Sequence, residues 1–200
     1  MPQDTAQLVA VAAALGWASG LRLYAVVFLT GLAGSLGWVT LPAGLQVLQH
    51  PAVLWASGAM GAFEFLADKV PAVDSLWDAV HTVVRIPAGA ALAAGVFGGD
   101  GEVAMTIAAL AGGTLAATSH VAKATTRAAA NTSPEPFSNL GLSLAGDAAV
   151  PAMLWLSWVH PAALFVLLAV AVAGMVALTW FFFRFLKALV RRFAPRRSHV

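Results

Sequence analysis

Residues 64–87 read EFLADKVPAVDSLWDAVHTVVRIP. This stretch holds four acids (Glu64, Asp68, Asp74, Asp78), two bases (Lys69, Arg85) and His81. The chain around it, up to the C-terminal tail, is mostly Ala, Val, Leu, Gly and Trp. Of the 200 residues 60% are hydrophobic and 10% charged, and the mean hydropathy is +0.82. Ordinary soluble domains carry about 25% charged residues, so this chain has too few charges to cover a water-facing surface. The long uncharged runs on either side have the length of membrane spans. The expectation is an all-α, polytopic transmembrane helical bundle of about six spans. Ionisable groups are costly at membrane depth and there mark function.

Upstream, residues 7–33 form a first span, with Gly16, Ser19 and Gly20 just before Arg22. Such small residues permit close helix packing or a local break. Residues 34–50, with Gly37, Pro42 and Gly44, read as a loop carrying a short interfacial helix at 45–48. A second span covers 51–69 and runs into Glu64, Asp68 and Lys69 before Pro71 interrupts it. Residues 72–98 read as a third, broken crossing, because the apolar part PAGAALAAGVF is too short to cross alone. GGDGE at 98–102 is a tight acidic loop. Further spans fall at 103–130, 139–158 and 161–183, with NTSPEPFSN at 131–139 as a turn.

Six of the eleven Lys and Arg lie at the C-terminus: Arg184, Lys187, Arg191, Arg192, Arg196 and Arg197. Directly after an apolar span they read as a membrane-edge anchor, not a nucleic-acid face. Residues 1–184 would then be the transmembrane domain and 185–200 a basic cytoplasmic tail, in an inner membrane. Six crossings put the N-terminus on the same side and the 98–102 loop outside. The start, MPQDTAQ, has no basic n-region, so no cleavable signal is expected. The absence of cysteine excludes disulfides and thiolate metal sites.

Residues 66–71 (LADKVP) and 145–151 (AGDAAVP) both lead through small or apolar residues to Asp and then Val-Pro. Two three-span halves, 7–98 and 103–183, related by inverted topology, would follow. Transporters of that architecture hold their site between the halves near the midplane.

On a helix, Asp74, Asp78, His81 and Arg85 follow at steps of four, three and four and share one face. His120, Lys123, Arg127 and Asn131 form a second stripe by the same rule. Glu64 and Asp68 are also one turn apart, and two carboxylates at low dielectric need a proton or a cation between them. Three chemistries fit. The charges can be ion pairs that lock helices together. They can line a hydrated cavity for a small charged solute. Asp74, Asp78 and His81 can also gather a divalent metal such as Mn or Mg, although Arg85 one turn on opposes it. A serine hydrolase from Ser119 beside His120 fails on geometry, because adjacent helical residues do not face each other.

The runs GAFEFLADKVPAVDSLWDAVHTVVRIPAGA and SHVAKATTRAAANTSPEPFSN, with GWASGLRLY upstream, resemble a family of bacterial integral membrane proteins, domain of unknown function 4126. The resemblance implies an inner-membrane helical protein and implies no activity. The residues themselves favour a transporter or permease for a small charged or polar solute, coupled to protons or a cation. Its expected site is Glu64, Asp68, Asp74, Asp78, His81, Arg85, His120, Lys123, Arg127 and Asn131. No cofactor and no nucleic acid are expected. The expected partners are the bilayer, the solute and, through Ala/Gly-rich faces, a second copy. A scaffold protein and a metal-dependent enzyme acting on a lipid headgroup are the alternatives.

Overall fold

The computed structural model describes residues 4–130 and 136–193. Among these residues the chain is helical with no strand. It comprises α1 (Thr5–Ser35), a 3-10 helix (Ala43–Gln49), α2 (Pro51–Ala67), α3 (Pro71–Val96), α4 (Glu102–Ala130), α5 (Pro136–Val159) and α6 (Pro161–Phe193). Four of the six α-helices open on proline, which lacks the N–H that a first helical residue cannot use. Asp4 caps α1 by accepting from Gln7 N at 2.7 Å, and His50 Nδ1 accepts from Ala52 N at the start of α2. Five helices are long and apolar enough to cross a membrane, and α2, at 17 residues, is apolar but shorter. Trp55, Val83, Leu110 and Phe181 stay exposed on the outside of the bundle. Water would penalise that surface and hydrocarbon does not, so this is a multi-pass helical membrane bundle.

The expected break in the third crossing is absent. α3 runs as one helix through Pro87. The charges that shorten its apolar run on paper, Asp78, His81 and Arg85, are buried and partnered within the bundle, so they do not stop the span.

The break lies instead in α1, where Arg22 has non-helical backbone (φ −148°, ψ 79°). A straight helix would hold Gln7 and Thr30 about 35 Å apart. Yet Gln7 Nε2 donates to Trp158 O at 3.0 Å, and Thr30 lines a cavity together with the same Trp158. α1 therefore doubles back at Arg22 into two arms, 5–21 and 23–35. Its tip sits inside the bundle, because Arg22 meets Asp147 in the middle of α5. Irregular backbone is tolerated at that depth where protein buries it, and Arg22 is buried.

Small residues let the first arm lie directly on α4. A Cβ added to Gly16 would fall 2.6 Å from Gly112 Cα, an approach that only glycine permits. The second arm runs antiparallel to α2, with Gly31 against Leu54 and Gly58 against Phe28. α3 and α4 form an antiparallel hairpin whose outer end, at Gly95 and Gly98, packs on Gly44. Asp4, before α1, thus lies at the end of the bundle shared by the 3-10 helix, the α3–α4 loop and the start of α6. From there α6 runs 33 residues, about 50 Å, to the opposite end. Asp4 and Phe193 therefore lie at opposite ends of the bundle, where six full crossings would have put them at one, because α1 doubles back.

Candidate functional site

The charged stripes of α3 and α4 meet, and the end of α2 and the tip of α1 join them. Arg85, in the middle of α3, is fully buried. Its Nη2 donates to Glu64 Oε1 at 2.7 Å, and its Nη1 donates to Asp78 Oδ1, two turns earlier on the same helix. Asp78 also receives Lys123 Nζ at 3.0 Å. His120 Nε2 pairs with Thr82 Oγ1 at 2.8 Å. His81 uses both ring nitrogens, Nδ1 with Trp77 O at 2.8 Å and Nε2 with the Tyr24 hydroxyl at 3.1 Å. Trp77 stacks on His81 with ring centroids 3.9 Å apart.

Around Arg22 the pairing is denser. Its Nη2 lies 2.6 Å from Asp68 Oδ2 and 2.8 Å from Asp147 Oδ1, and it donates to Ser143 O and Oγ at 3.1 Å each. Asp68 also receives Lys123 at 3.1 Å and Arg127 Nη2 at 3.5 Å. Arg127 Nη1 donates to the Asp68 carbonyl at 2.9 Å. Asp147 receives Lys69 Nζ at 3.0 Å. Lys123 therefore bridges two groups of ion pairs, one on Arg85 and one on Arg22, by bonding Asp78 and Asp68 together.

Seven of the ten expected site residues, Glu64, Asp68, Asp78, Arg85, His120, Lys123 and Arg127, fall within this network. His81 lies beside it on Tyr24. The side chain of Asp74 and the whole of Asn131 lie outside the described residues. The cation that Glu64 and Asp68 need comes from the protein itself, as a separate guanidinium for each. A metal on Asp78 and His81 finds its donors already engaged by Arg85, Lys123, Trp77 and Tyr24. Among the described residues no group of three His, Asp or Glu is arranged to hold a metal. Ser119 Oγ donates to Trp17 O at 2.6 Å, which serves the α1–α4 contact rather than catalysis.

Arg22, Lys69 and Asp147 complete the network and were not among the expected site residues. Arg22 and Asp147 each stand alone among apolar neighbours in sequence, and Lys69 next to Asp68 belongs to neither stripe. Their signal was the shared Asp-then-Val-Pro pattern at 68 and 147: both of those aspartates bind Arg22.

The model of a family described as domain of unknown function 4126 matches residues 9–181. The chain belongs to that family. The matched part of this domain of unknown function 4126 protein contains every ion pair described above. No curated protein and no solved structure matches the chain.

In this family member a cavity of about 420 Å³ opens beside the network, between α1, α4, α5 and α6. Arg22, Asp68, Lys123 and Arg127 form its charged part. Leu142, Ala149, Ala171 and Met175 line the remainder. Arg22 Nε and Nη1 and Trp17 Nε1 are buried donors with no hydrogen-bond partner among the described residues. Glu64, Arg85 and Asp78 do not reach this cavity. The site thus has a closed part, centred on Arg85, and an open part, centred on Arg22.

Proposed function

We propose that this protein is a small transporter or permease of the inner membrane, moving a small charged solute with coupling to protons or a cation. The observation that carries the reading is that network and cavity share residues: Arg22, Asp68, Lys123 and Arg127 belong to both. Arg22, Asp68 and Lys123 each have more than one charged partner, so a solute can replace one contact without stranding a charge. The bases favour an anionic group, to which a guanidinium offers a planar, multidentate face. The doubled α1, with its irregular tip at mid-depth, is the kind of broken helix from which transporter sites are made. The shared Asp-then-Val-Pro pattern at 68–71 and 147–151 is what supports two related halves, 7–98 and 103–183.

Flux in proteoliposomes tests this. Wild type is expected to carry phosphate-type or carboxylate-type anions across the membrane. Arg22→Gln should cut the rate about tenfold or more, the value of one lost hydrogen bond to a charged group. No flux with either class would remove the transport reading. What would stand is a scaffold whose buried charges lock helices, the reading that the closed Glu64–Arg85–Asp78 part favours by itself.

The basic residues Arg127, Arg184 and Lys187 lie toward the end where α4 and α6 finish, and Asp100 and Glu102 lie at the other end. The positive-inside rule then makes the tail cytoplasmic and the N-terminus external. The chain has no cysteine, so Thr5→Cys and Lys187→Cys can be labelled singly. An impermeant maleimide should reach Cys at 5 from outside and Cys at 187 only after the membrane is opened.

A further inference from the structure

The cavity beside Arg22 has two chemically unlike ends. At one end Arg22 is more than nine-tenths buried, and its Nε and Nη1, closed over in this conformation, have no hydrogen-bond partner among the described residues. An unsatisfied buried donor is costly, more so on a charged group, so this end is prepared for an acceptor. Lys123 and Arg127 flank it, and the Asp68 carboxylate among them keeps the charge from being uniformly positive.

The other end is hydrocarbon in character, lined by Leu142, Ala149, Ala171, Met175 and Leu178. Ala145, Gly174 and Leu178 are exposed on the surfaces of α5 and α6 and form its rim. In a bilayer that rim meets acyl chains. Apolar cavities of this kind stay dry, and a free ion passing along them would lose its water with nothing in exchange. An anion that carries its own hydrocarbon satisfies both ends. At about 420 Å³ the space is near the small end of ligand pockets, which suits one chain rather than two.

We infer that the cavity binds the phosphate or carboxylate head of a single-chain amphiphile, which enters from the bilayer between α5 and α6. The head accepts from Arg22, whose guanidinium turns toward it as the ligand enters, with Lys123 and Arg127 beside it, and the chain lies along α5 and α6. This names the substrate class of the proposed transporter, and it rests on that reading for movement but not for binding.

The test is calorimetric titration of the full chain in phosphatidylcholine nanodiscs. The probes are dodecyl phosphate, dodecanoate, inorganic phosphate and dodecyl maltoside. Dodecyl phosphate or dodecanoate should bind saturably at one site, with inorganic phosphate and dodecyl maltoside at least about tenfold weaker. Arg22→Gln should weaken the amphiphilic anions about tenfold or more. Gly174→Leu should do the same by filling the apolar end. A Cβ at 174 meets nothing within 4 Å, so this variant keeps the inference testable if Arg22→Gln does not fold. Inorganic phosphate binding as tightly as dodecyl phosphate, and unaffected by Gly174→Leu, would identify a free polar anion and overturn the inference. Equal binding of dodecyl maltoside would overturn the role of the anionic head, and no saturable binding would overturn the whole. Binding as expected without flux in proteoliposomes would leave the inference standing and remove only the transport reading.

Discussion

The Arg85 and Arg22 centres use the same side-chain types and differ in their surroundings. Arg85 is enclosed by α2, α3 and α4 and divides its hydrogen bonds between two carboxylates, Glu64 and Asp78. Arg22 also serves two carboxylates, but it sits on a broken helix tip and lines a cavity. A buried ion pair without access can only contribute to holding helices in place. The same pair beside an opening can exchange partners with a ligand. Among the described residues Arg85 Nε and Glu64 Oε2 are as unpartnered as Arg22 Nε and Nη1, so charge and unspent hydrogen bonds at membrane depth do not mark a binding site by themselves; access does.

Removing Arg85 should produce the largest effect. Arg85→Met leaves Glu64 without its guanidinium inside the bundle, and it should cost about 3–5 kcal/mol, as expected for a broken buried pair. Thermal unfolding in detergent measures this, and a loss below that of Arg22→Gln would reverse the assignment of the two centres. Arg22→Gln should cost less, about 1–3 kcal/mol. Asp68 retains Lys123 and Arg127, and Asp147 retains Lys69. Its main effect should be on flux, and unfolding and transport measured on the same preparation separate the two. Lys69→Met should be the mildest, at most about 1 kcal/mol, because the Lys69 side chain is 23% exposed and Asp147 keeps Arg22. A large loss there would mean that the open centre is as rigid as the closed one.

The membrane class, the helical bundle and most span positions were legible in sequence, since they depend on local composition and on proline. Pro51, Pro71, Pro136 and Pro161 each open a helix, while Pro87 and Pro151 lie inside one. The stripes Asp78–His81–Arg85 and His120–Lys123–Arg127 were legible for a similar reason, because helical spacing alone puts them on one face. Arg22 and Asp147 were harder to place. Each is a single charge in an apolar run, and spacing says nothing about a partner more than a hundred residues away. The doubling of α1 was only half legible: Gly16, Ser19 and Gly20 announce a weak point, but a small-residue cluster serves close packing and breakage equally.

The sequence by itself determined that this chain lives in lipid as helices and that its charges are few and clustered, because hydropathy, proline and helical period act over short distances. The tertiary structure decided the reversal of α1 at Arg22, the opposite placement of Asp4 and Phe193 and the sorting of one charged cluster into a closed and an open centre. Those features depend on which distant helices meet. The reason is physical: a guanidinium bonds whichever carboxylates the packing brings within about 3 Å, and packing is a property of the whole bundle.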